Sequence, residues 1–385
     1  MKKLLTLYLL LTSLSLPVLS QLEDYDYWIL SLADSMNYSL LEDEGNFVND
    51  LFNMDRFFEK ILIENDDENI QEYNEYFTGE FFGELEFGNI LSKSIQQTGG
   101  YYDYLNHYLD VDGKIHILFR LFGDDMGVNY HDFQFEYIDS AYQITDLYIY
   151  FSGELLSETY TQMYRQLLRD FLNKKSNTFH RAKALSSWEL VNKARKLNQE
   201  EKFKEAIDVF NTIPEKYQSQ RYFQFWKIQL YLDLEDPTGY EEALQEFEKA
   251  YPDDPSIFLL AIDKYTILGD FDEAIRYINK LDVKVGLDPF LNFMRANMYY
   301  LKEDFEMAEK LMLLVYEDFQ FLTLNILMFS VYHDSNQPEK AINSLSQIEK
   351  EYEVTRLEIF DWIKEDFKEF CESQIFLDWK NEKKE

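Results

Sequence analysis

The polar residues best placed for acid–base chemistry fall in the run at residues 127–132, Gly-Val-Asn-Tyr-His-Asp. A histidine oriented by a carboxylate can act as a general base, since its ordinary pKa lies near neutrality. Asn129 and His131, with Tyr102 from an earlier strand, are therefore candidates for lining a small-molecule pocket. Neighbouring residues of a strand point to opposite faces, so His131 and Asp132 are not expected to cooperate. We favour the simpler interpretation, a turn at the start of a strand with solvated side chains and a hydrogen-bonded imidazole.

Other catalytic and metal-binding patterns are weaker. Residues 110–113, Asp-Val-Asp-Gly, share two acidic positions with calcium loops, but the downstream oxygen ligands and the final glutamate are missing. A hairpin turn explains this segment better. The sequence shows no nucleophile elbow, zinc-ligand pair, phosphate-binding loop or matched carboxylate dyad. We therefore expect no enzymatic activity, no metal and no cofactor.

The elements that must position the candidate pocket form an α+β domain at residues 21–155. Residues 22–97 predict two or three helices, of which one carries an apolar series at helical spacing: Phe47, Leu51, Met54, Phe58 and Leu62. After residue 100, alternation of aromatic and β-branched residues predicts four strands. Asp112-Gly113 predicts a tight hairpin between the first two strands. The strands are expected to form an antiparallel meander.

Helices followed by a meander resemble the cone-shaped α+β fold of the nuclear transport factor and ketosteroid isomerase superfamily. The resemblance covers about residues 46–153 and rests on the order of elements. It implies a curved sheet, whose interior in that superfamily often holds a small molecule. Some members use an Asp or His there as a base, but no residue of this sequence can be matched to such a base.

The C-terminal half carries a repeat. Its mark is a series of five alanines, at steps of 37, 31, 34 and 33 residues: Ala206, Ala243, Ala274, Ala308 and Ala341. Fixed periods of this size indicate stacked supersecondary units. The first four alanines each follow an aromatic residue by three positions, and the 37-residue step is attributed to a longer loop at residues 233–239.

This pattern resembles tetratricopeptide repeat (TPR) proteins. It predicts an all-α solenoid of five helix-turn-helix units at residues 186–353 and a capping helix at residues 354–385. The resemblance implies that the first helices of successive units line a concave groove for a peptide segment. The groove positions carried across are Trp188, Arg195, Leu259, Asp263, Phe290, Phe293, Asn297, Tyr300 and Ile326.

The chemistry of these positions defines the expected partner. The basic cluster with which some TPR grooves hold a terminal carboxylate is absent. The expected partner is therefore another protein or peptide segment, apolar with basic flanks, anchored on Phe290, Phe293 and Tyr300. Two alternatives remain open. The aromatic stripe can belong to the core, and the groove can be filled by the chain's own N-terminal domain.

Charge constrains the partners further. The chain carries 37 Lys+Arg against 72 Asp+Glu, a formal charge of −35, so nucleic acid is not an expected ligand. Residues 161–204 depart from this balance, with 4 acidic and 11 basic residues. They overlap a predicted basic helical connector at residues 156–185. We favour a solvated connector over one that docks the two acidic halves together.

The N-terminus predicts export. Lys2 and Lys3 precede an apolar run that is too short to span a bilayer, and small residues precede Gln21, as in a secretory signal at residues 1–20. Cys371, the single cysteine, cannot form an intrachain disulfide and is expected to be buried. The expected function is an exported, periplasmic or secreted TPR adaptor without a transmembrane span. The alternative is a small-molecule-binding module in the N-terminal domain.

Overall fold

The computed structural model describes residues 27–81, 86–97, 100–123, 127–176, 190–191, 193–198, 200–251 and 256–382. The predicted signal segment and Trp188 lie outside the described residues. The chain divides into two compact units, Met1–Ser256 and Ile257–Glu385, so the boundary falls inside the repeat array. In the described part of the chain, no helix combines the length and the apolar character needed to cross a bilayer.

The N-terminal helices are shorter than their apolar spacing predicts. They are α1 (residues 27–42), α2 (Asn46–Leu51), α3 (Met54–Ile61), α4 (Glu68–Tyr76), a π-helical turn (Phe77–Phe81) and α5 (Phe87–Gln97). The helix predicted through residues 47–62 breaks at Phe52, whose backbone is extended. Asn53 then caps α3, because its side chain accepts a hydrogen bond from the Arg56 amide. The spacing of apolar residues gives no sign of such a polar cap.

The sheet confirms the predicted meander and adds a short strand. Its strands are β1 (Tyr101–Leu109), β2 (Ile115–Gly123), β3 (Gly127–Ile138), β4 (Ala141–Ile149) and β5 (Glu154–Leu155), paired antiparallel in that order. Gly113 has φ 79° in the predicted first hairpin turn. Asp139 and Ser140 both have positive φ between β3 and β4, as a type I′ hairpin turn requires.

Helix α6 (Leu156–Ser176) completes the N-terminal domain. One face of the sheet packs against the helices through Phe119, Phe133 and neighbouring apolar residues, and Tyr164 and Leu168 of α6 belong to the same core. The Tyr164 hydroxyl also donates to Asn74 Oδ1 at 2.5 Å. Residues 156–176 are therefore not the solvated connector that their charge suggests. Apolar residues recur on α6 every three or four positions, and that face is buried.

Helix pairs follow at a regular interval. The helices are α7 (190–191 and 193–198), α8 (Phe203–Phe210), α9 (Glu215–Gln218), α10 (Arg221–Asp233), α11 (Pro237–Ala250), α12 (Ser256–Ile267), α13 (Phe271–Lys284), α14 (Leu291–Leu301), α15 (Phe305–Asp318), α16 (Leu322–Asp334) and α17 (Pro338–Glu351). The second helices of the pairs begin at Phe203, Pro237, Phe271, Phe305 and Pro338. Each first helix is followed, two or three positions after its end, by a residue of positive φ: Glu201, Glu235, Gly269, Glu303 and Asn336. Both series advance by 34, 34, 34 and 33 residues.

This spacing corrects the alanine register. Thirty-four residues after Ala206 the chain has Tyr240, whereas Ala243 lies about one helical turn later. The 37-residue step is thus not a longer loop. In this pair the small residue is Gly239, where an added Cβ would lie 2.3 Å from the Tyr231 ring. Close packing of the two helices is preserved by a glycine, and a search for alanine misses it.

Three short helices take the place of the predicted C-terminal helix: α18 (Arg356–Ile363), α19 (Lys368–Cys371) and α20 (Gln374–Asn381). Thr355 begins α18 with a capping box, and Ser373 caps α20. The Trp379 indole donates to Ser346 of α17 at 2.9 Å, which attaches α20 to the last helix pair. Cys371 is buried, as expected.

Candidate functional site

A partly open cavity of about 260 Å³ lies between the inner face of the sheet and the helices α2 and α5. Most of its lining is apolar. Polar groups come from Ser94 on α5 and from Asn129 and His131 on β3. A cavity with an apolar wall and a few convergent polar groups is the usual form of a small-molecule site.

Strand register brings the three predicted pocket residues together. Leu121 of β2 pairs with Tyr102 on one side and with Asn129 on the other, and Asn129 and His131 share one face of β3. The Tyr102 hydroxyl lies 3.2 Å from His131 Nδ1, and Asn129 Nδ2 lies 3.2 Å from His131 Nε2. The residues therefore form one hydrogen-bonded chain.

The backbone fixes the proton positions in this chain. Asn129 Oδ1 accepts hydrogen bonds from the amides of Tyr130 and Phe151, at 2.8 and 2.9 Å, so the Asn129 NH₂ group faces His131. His131 Nε2 must then accept, and Nδ1 carries the proton and donates to the Tyr102 oxygen. Burial lowers the pKa of His131 to about 4 and raises the pKa of Tyr102 well above its ordinary value. The chain is therefore neutral at pH 7, which suits hydrogen bonding to a ligand better than general-base chemistry.

Asp132 belongs to a separate network on the opposite face of the sheet. Its carboxylate accepts from the Tyr108 hydroxyl at 2.6 Å and lies 2.9 Å from His116 Nδ1. The prediction that His131 and Asp132 do not cooperate is confirmed. The expectation that both are solvated is wrong, because each is only 4% exposed.

His116 was not singled out in the sequence. Burial acts to lower its pKa, but hydrogen bonds and charges from Asp132 and Asp110 outweigh burial and raise it. The signal that could have found it is the antiparallel register. Leu118 pairs with Asp132, which places His116 one diagonal step from that carboxylate.

Of the groove positions in the first helix pair, the described one, Arg195, faces α6 of the N-terminal domain. The Arg195 guanidinium donates to the Tyr222 hydroxyl at 2.5 Å and lies over the Trp226 ring. Val191 and Arg195 line a gap of about 70 Å³ together with Met163 and other residues of α6. At this helix pair, α6 of the same chain lies against the groove. This agrees with the alternative that the N-terminal domain fills the groove.

In Ile257–Glu385, three groove positions are internal. Leu259, Phe290 and Phe293 are 6%, 2% and 9% exposed. The Phe290 ring packs against Phe293, Phe319 and Phe321, at centroid distances of 5.2 to 5.8 Å. The interpretation of this aromatic stripe as core is therefore the right one. Phe290 and Phe293 are not exposed anchors for a partner.

The remaining groove positions reach the surface. Asp263 is exposed on α12 and Ile326 is 40% exposed on α16, while Asn297 and Tyr300 are partly exposed on α14. The Tyr300 hydroxyl donates to Asp334 Oδ2 at 2.8 Å, which links α14 to α16. Burial, followed by the Asp334 hydrogen bond and charge, raises the pKa of Tyr300 to about 12.

Residues Ser330 and His333 extend this region, because they follow Ile326 by four and seven positions on one helix. His333 Nδ1 lies 2.6 Å from Asp334 Oδ1. We refer to the following set as the first-helix surface: Asn297, Tyr300, Ile326, Ser330, His333 and Asp334. It joins two successive first helices and mixes apolar, hydroxyl and anionic groups.

Fold and spacing together define the class: an α+β domain with a five-stranded antiparallel sheet, followed by helix pairs that repeat every 33 or 34 residues. Neither a family model nor a curated protein matches the chain. Among solved structures, the chain is similar to a tetratricopeptide repeat protein from Parabacteroides merdae ATCC 43184, with 16% identity and a TM-score of 0.35. The match covers 49% of this chain and 78% of that chain.

Proposed function

We propose that this protein is an exported, non-enzymatic adaptor whose TPR-type repeats bind another protein. The observation that carries the proposal is the first-helix surface. Tyr300 and Ile326 provide partly exposed anchors on neighbouring helices, and the hydrogen bond from Tyr300 to Asp334 holds the two helices in a fixed relation. A pre-organised surface loses little conformational freedom on binding.

The proposed chemistry of the partner draws on this surface and on Asp263 of the preceding first helix. Ile326 favours an apolar contact, and Asp334 and the exposed Asp263 favour cationic neighbours. Residues 205–385 contain 38 acidic and 19 basic side chains, a balance of −19, which attracts a basic segment at long range. The proposed partner is therefore an apolar segment with basic flanks.

Export rests on the N-terminal segment. Lys2 and Lys3, the short apolar run and the small residues before Gln21 form the pattern of a cleaved signal. We expect the mature protein in the periplasm or outside the cell, with Gln21 at its N-terminus. N-terminal sequencing of the protein recovered from these fractions tests this, and an intact Met1 on the recovered protein would contradict it.

Site-specific photo-crosslinking in the native cell tests the adaptor function. A photoreactive residue at position 326 should give one discrete crosslinked species. The matched control is Leu314, which is 47% exposed on the second helix α15, against 40% for Ile326. The same photoreactive residue at position 314 should not give that species. Identical crosslinks from both positions, or none from position 326, would refute the proposal.

A second candidate function is small-molecule binding in the N-terminal domain, and the cavity of about 260 Å³ favours it. An engineered apolar cavity of about 150 Å³ holds benzene, and drug-sized ligands occupy about 300 Å³ or more. A ligand of one or two rings fits this range. The second hydrogen of the Asn129 NH₂ group would orient its polar group, since both ring nitrogens of His131 are already hydrogen-bonded.

Native mass spectrometry with a panel of one- and two-ring compounds tests the second candidate. Binding should occur at one molecule per chain and disappear in Ser94→Trp, because Ser94 lines the cavity. The matched control is Ser35→Trp, at an exposed serine of α1, which should bind as the wild type does. Binding that survives Ser94→Trp would remove the cavity from consideration.

A further inference from the structure

A second cavity, larger and more open, lies beside α6 within Met1–Ser256. Its volume is about 790 Å³, and its walls come from α3, β5, α6 and the start of α10. Four cationic side chains line it: Lys60, Arg165, Arg169 and Arg221. We call it the basic cleft. It gathers part of the positive charge that residues 161–204 carry in an otherwise acidic chain.

Two of the four cations are held by the protein. Lys60 Nζ donates to the Thr145 carbonyl at 2.9 Å and lies 3.1 Å from Asp146 Oδ2. Arg221 donates to the Ser152 carbonyl and to Ser256 Oγ. These contacts fix two walls of the cleft, and the carboxylates of Asp146 and Glu154 offset the charges of Lys60 and Arg221.

Arg165 and Arg169 differ from this pair. They are exposed and four residues apart on α6, so they share one face at a rise of about 6 Å. The Arg165 guanidinium makes no ion pair with a described residue. Arg169 Nε donates to the Arg165 carbonyl at 3.1 Å, and its terminal nitrogens bond to no described residue. Arginines without an ion pair to any described residue are unexpected in a chain with 72 acidic and 37 basic side chains.

The acidic residues of the cleft are already engaged. Glu154 accepts from Thr159 Oγ1 at 2.8 Å and lies 3.8 Å from Arg221 Nη1. Glu158 accepts from the Leu155 amide at 2.9 Å. Neither carboxylate lies within ion-pair distance of Arg165 or Arg169. The two arginines therefore face the cleft with their charge available, while the nearby carboxylates disfavour ligands of high negative charge.

We propose that the basic cleft binds a small dianion through Arg165 and Arg169. Guanidinium groups bind carboxylate and phosphate through paired N–H donors, so both chemistries fit, and two unpaired cations match two negative charges. Gln220, on the cleft wall, adds a neutral amide. This site is separate from the first-helix surface and from the N-terminal cavity, and it does not depend on either function.

Isothermal titration of the mature chain with succinate and with inorganic phosphate, at pH 8 and constant ionic strength, tests the site. At least one probe should bind saturably, and Arg165→Gln/Arg169→Gln should weaken it at least tenfold. Both arginines are exposed, so the variant should keep the wild-type melting temperature. Binding of succinate alone or of phosphate alone supports the proposal and identifies which anionic group the cleft prefers.

The matched control is Arg276→Gln/Lys280→Gln. It removes two exposed cations at the same four-residue spacing from α13, so net charge changes equally. The control should bind the probe within twofold of the wild type. Equal weakening in both double variants would show a nonspecific charge effect and overturn the proposal. The absence of saturable binding for both probes would also overturn it.

Discussion

Acidification should destabilise the N-terminal domain through His131. The pKa of this histidine is lowered by burial from 6.5 to about 4, so the folded domain resists taking up a proton that the unfolded chain accepts. The stability contributed by neutral His131 is fully present above pH 6.5. It is lost as the pH falls toward 4. Replacement of His131 by Gln removes this titration and keeps one acceptor for Asn129 and one donor for Tyr102.

The magnitude follows from the two pKa values. A difference of about 2.5 pKa units corresponds to about 3 kcal/mol when both states have titrated, since one unit equals about 1.4 kcal/mol. At pH 5 the folded domain is still neutral at His131 and the unfolded chain is mostly protonated. The expected loss there is about 2 kcal/mol relative to pH 7.5. The His131→Gln variant should not show this loss of stability. The pH dependence that comes from all other groups should remain.

Urea unfolding followed by pulsed hydrogen exchange of β2 and β3 measures the free energy of unfolding of this domain. Wild type, His131→Gln and the control His107→Gln are compared at pH 7.5 and pH 5; His107 is a partly exposed histidine of β1. Only His131→Gln should reduce the difference between the free energies of unfolding at pH 7.5 and pH 5. If it loses as much stability as the wild type between pH 7.5 and pH 5, His131 is not desolvated as described.

Three further predictions concern the repeats. Gly269→Ala should destabilise Ile257–Glu385 by about 1 kcal/mol, because φ at this residue is 73°. No atom lies within 4 Å of the added Cβ, so the loss comes from the backbone conformation and not from a steric clash. Gly79→Ala, with equal space and no positive φ, should show no such loss in thermal unfolding. Asp304→Ala should lower the free energy of unfolding by about 1 kcal/mol, because the Asp304 side chain caps α15 at the Met307 amide. Lys202→Ala, at a cap position without that hydrogen bond, should be nearly neutral. Phe321→Ala should cost about 3 to 5 kcal/mol in urea unfolding, because the ring is 2% exposed among other phenylalanines. Ile326→Ala should cost under about 0.5 kcal/mol.

Periodicity predicted the type of each element more accurately than its limits. The meander was predicted from the alternation of residue types, and the helix pairs were predicted from a repeated interval. Both predictions tolerate an error of a few residues in where an element begins or ends. The break at Asn53 depends on one polar cap, and the second pair has Tyr240 where the other pairs have an alanine, next to Gly239. Neither feature changes the apolar pattern, so spacing alone could not locate it.

The candidate sites show the same limit. Helical spacing predicts that Phe290 and Phe293 lie on one face of their helix. It does not show whether that face lines an open groove or packs against the next helix pair. Phe319 and Phe321, which cover them, come from a later segment. In the sheet, alternation correctly separated His131 from Asp132. It could not show that both faces are buried or that Asn129 fixes the imidazole tautomer.

Binding of another protein at the first-helix surface can be measured directly. Once crosslinking at position 326 has identified that protein, titration calorimetry with the purified partner measures its affinity for the wild type, for Tyr300→Ala/Ile326→Ala and for Leu313→Ala/Leu314→Ala. Leu313 and Leu314 are exposed apolar residues of α15. We predict at least tenfold weaker binding for the first variant and wild-type binding for the second. Equal affinity of all three proteins would contradict the claim.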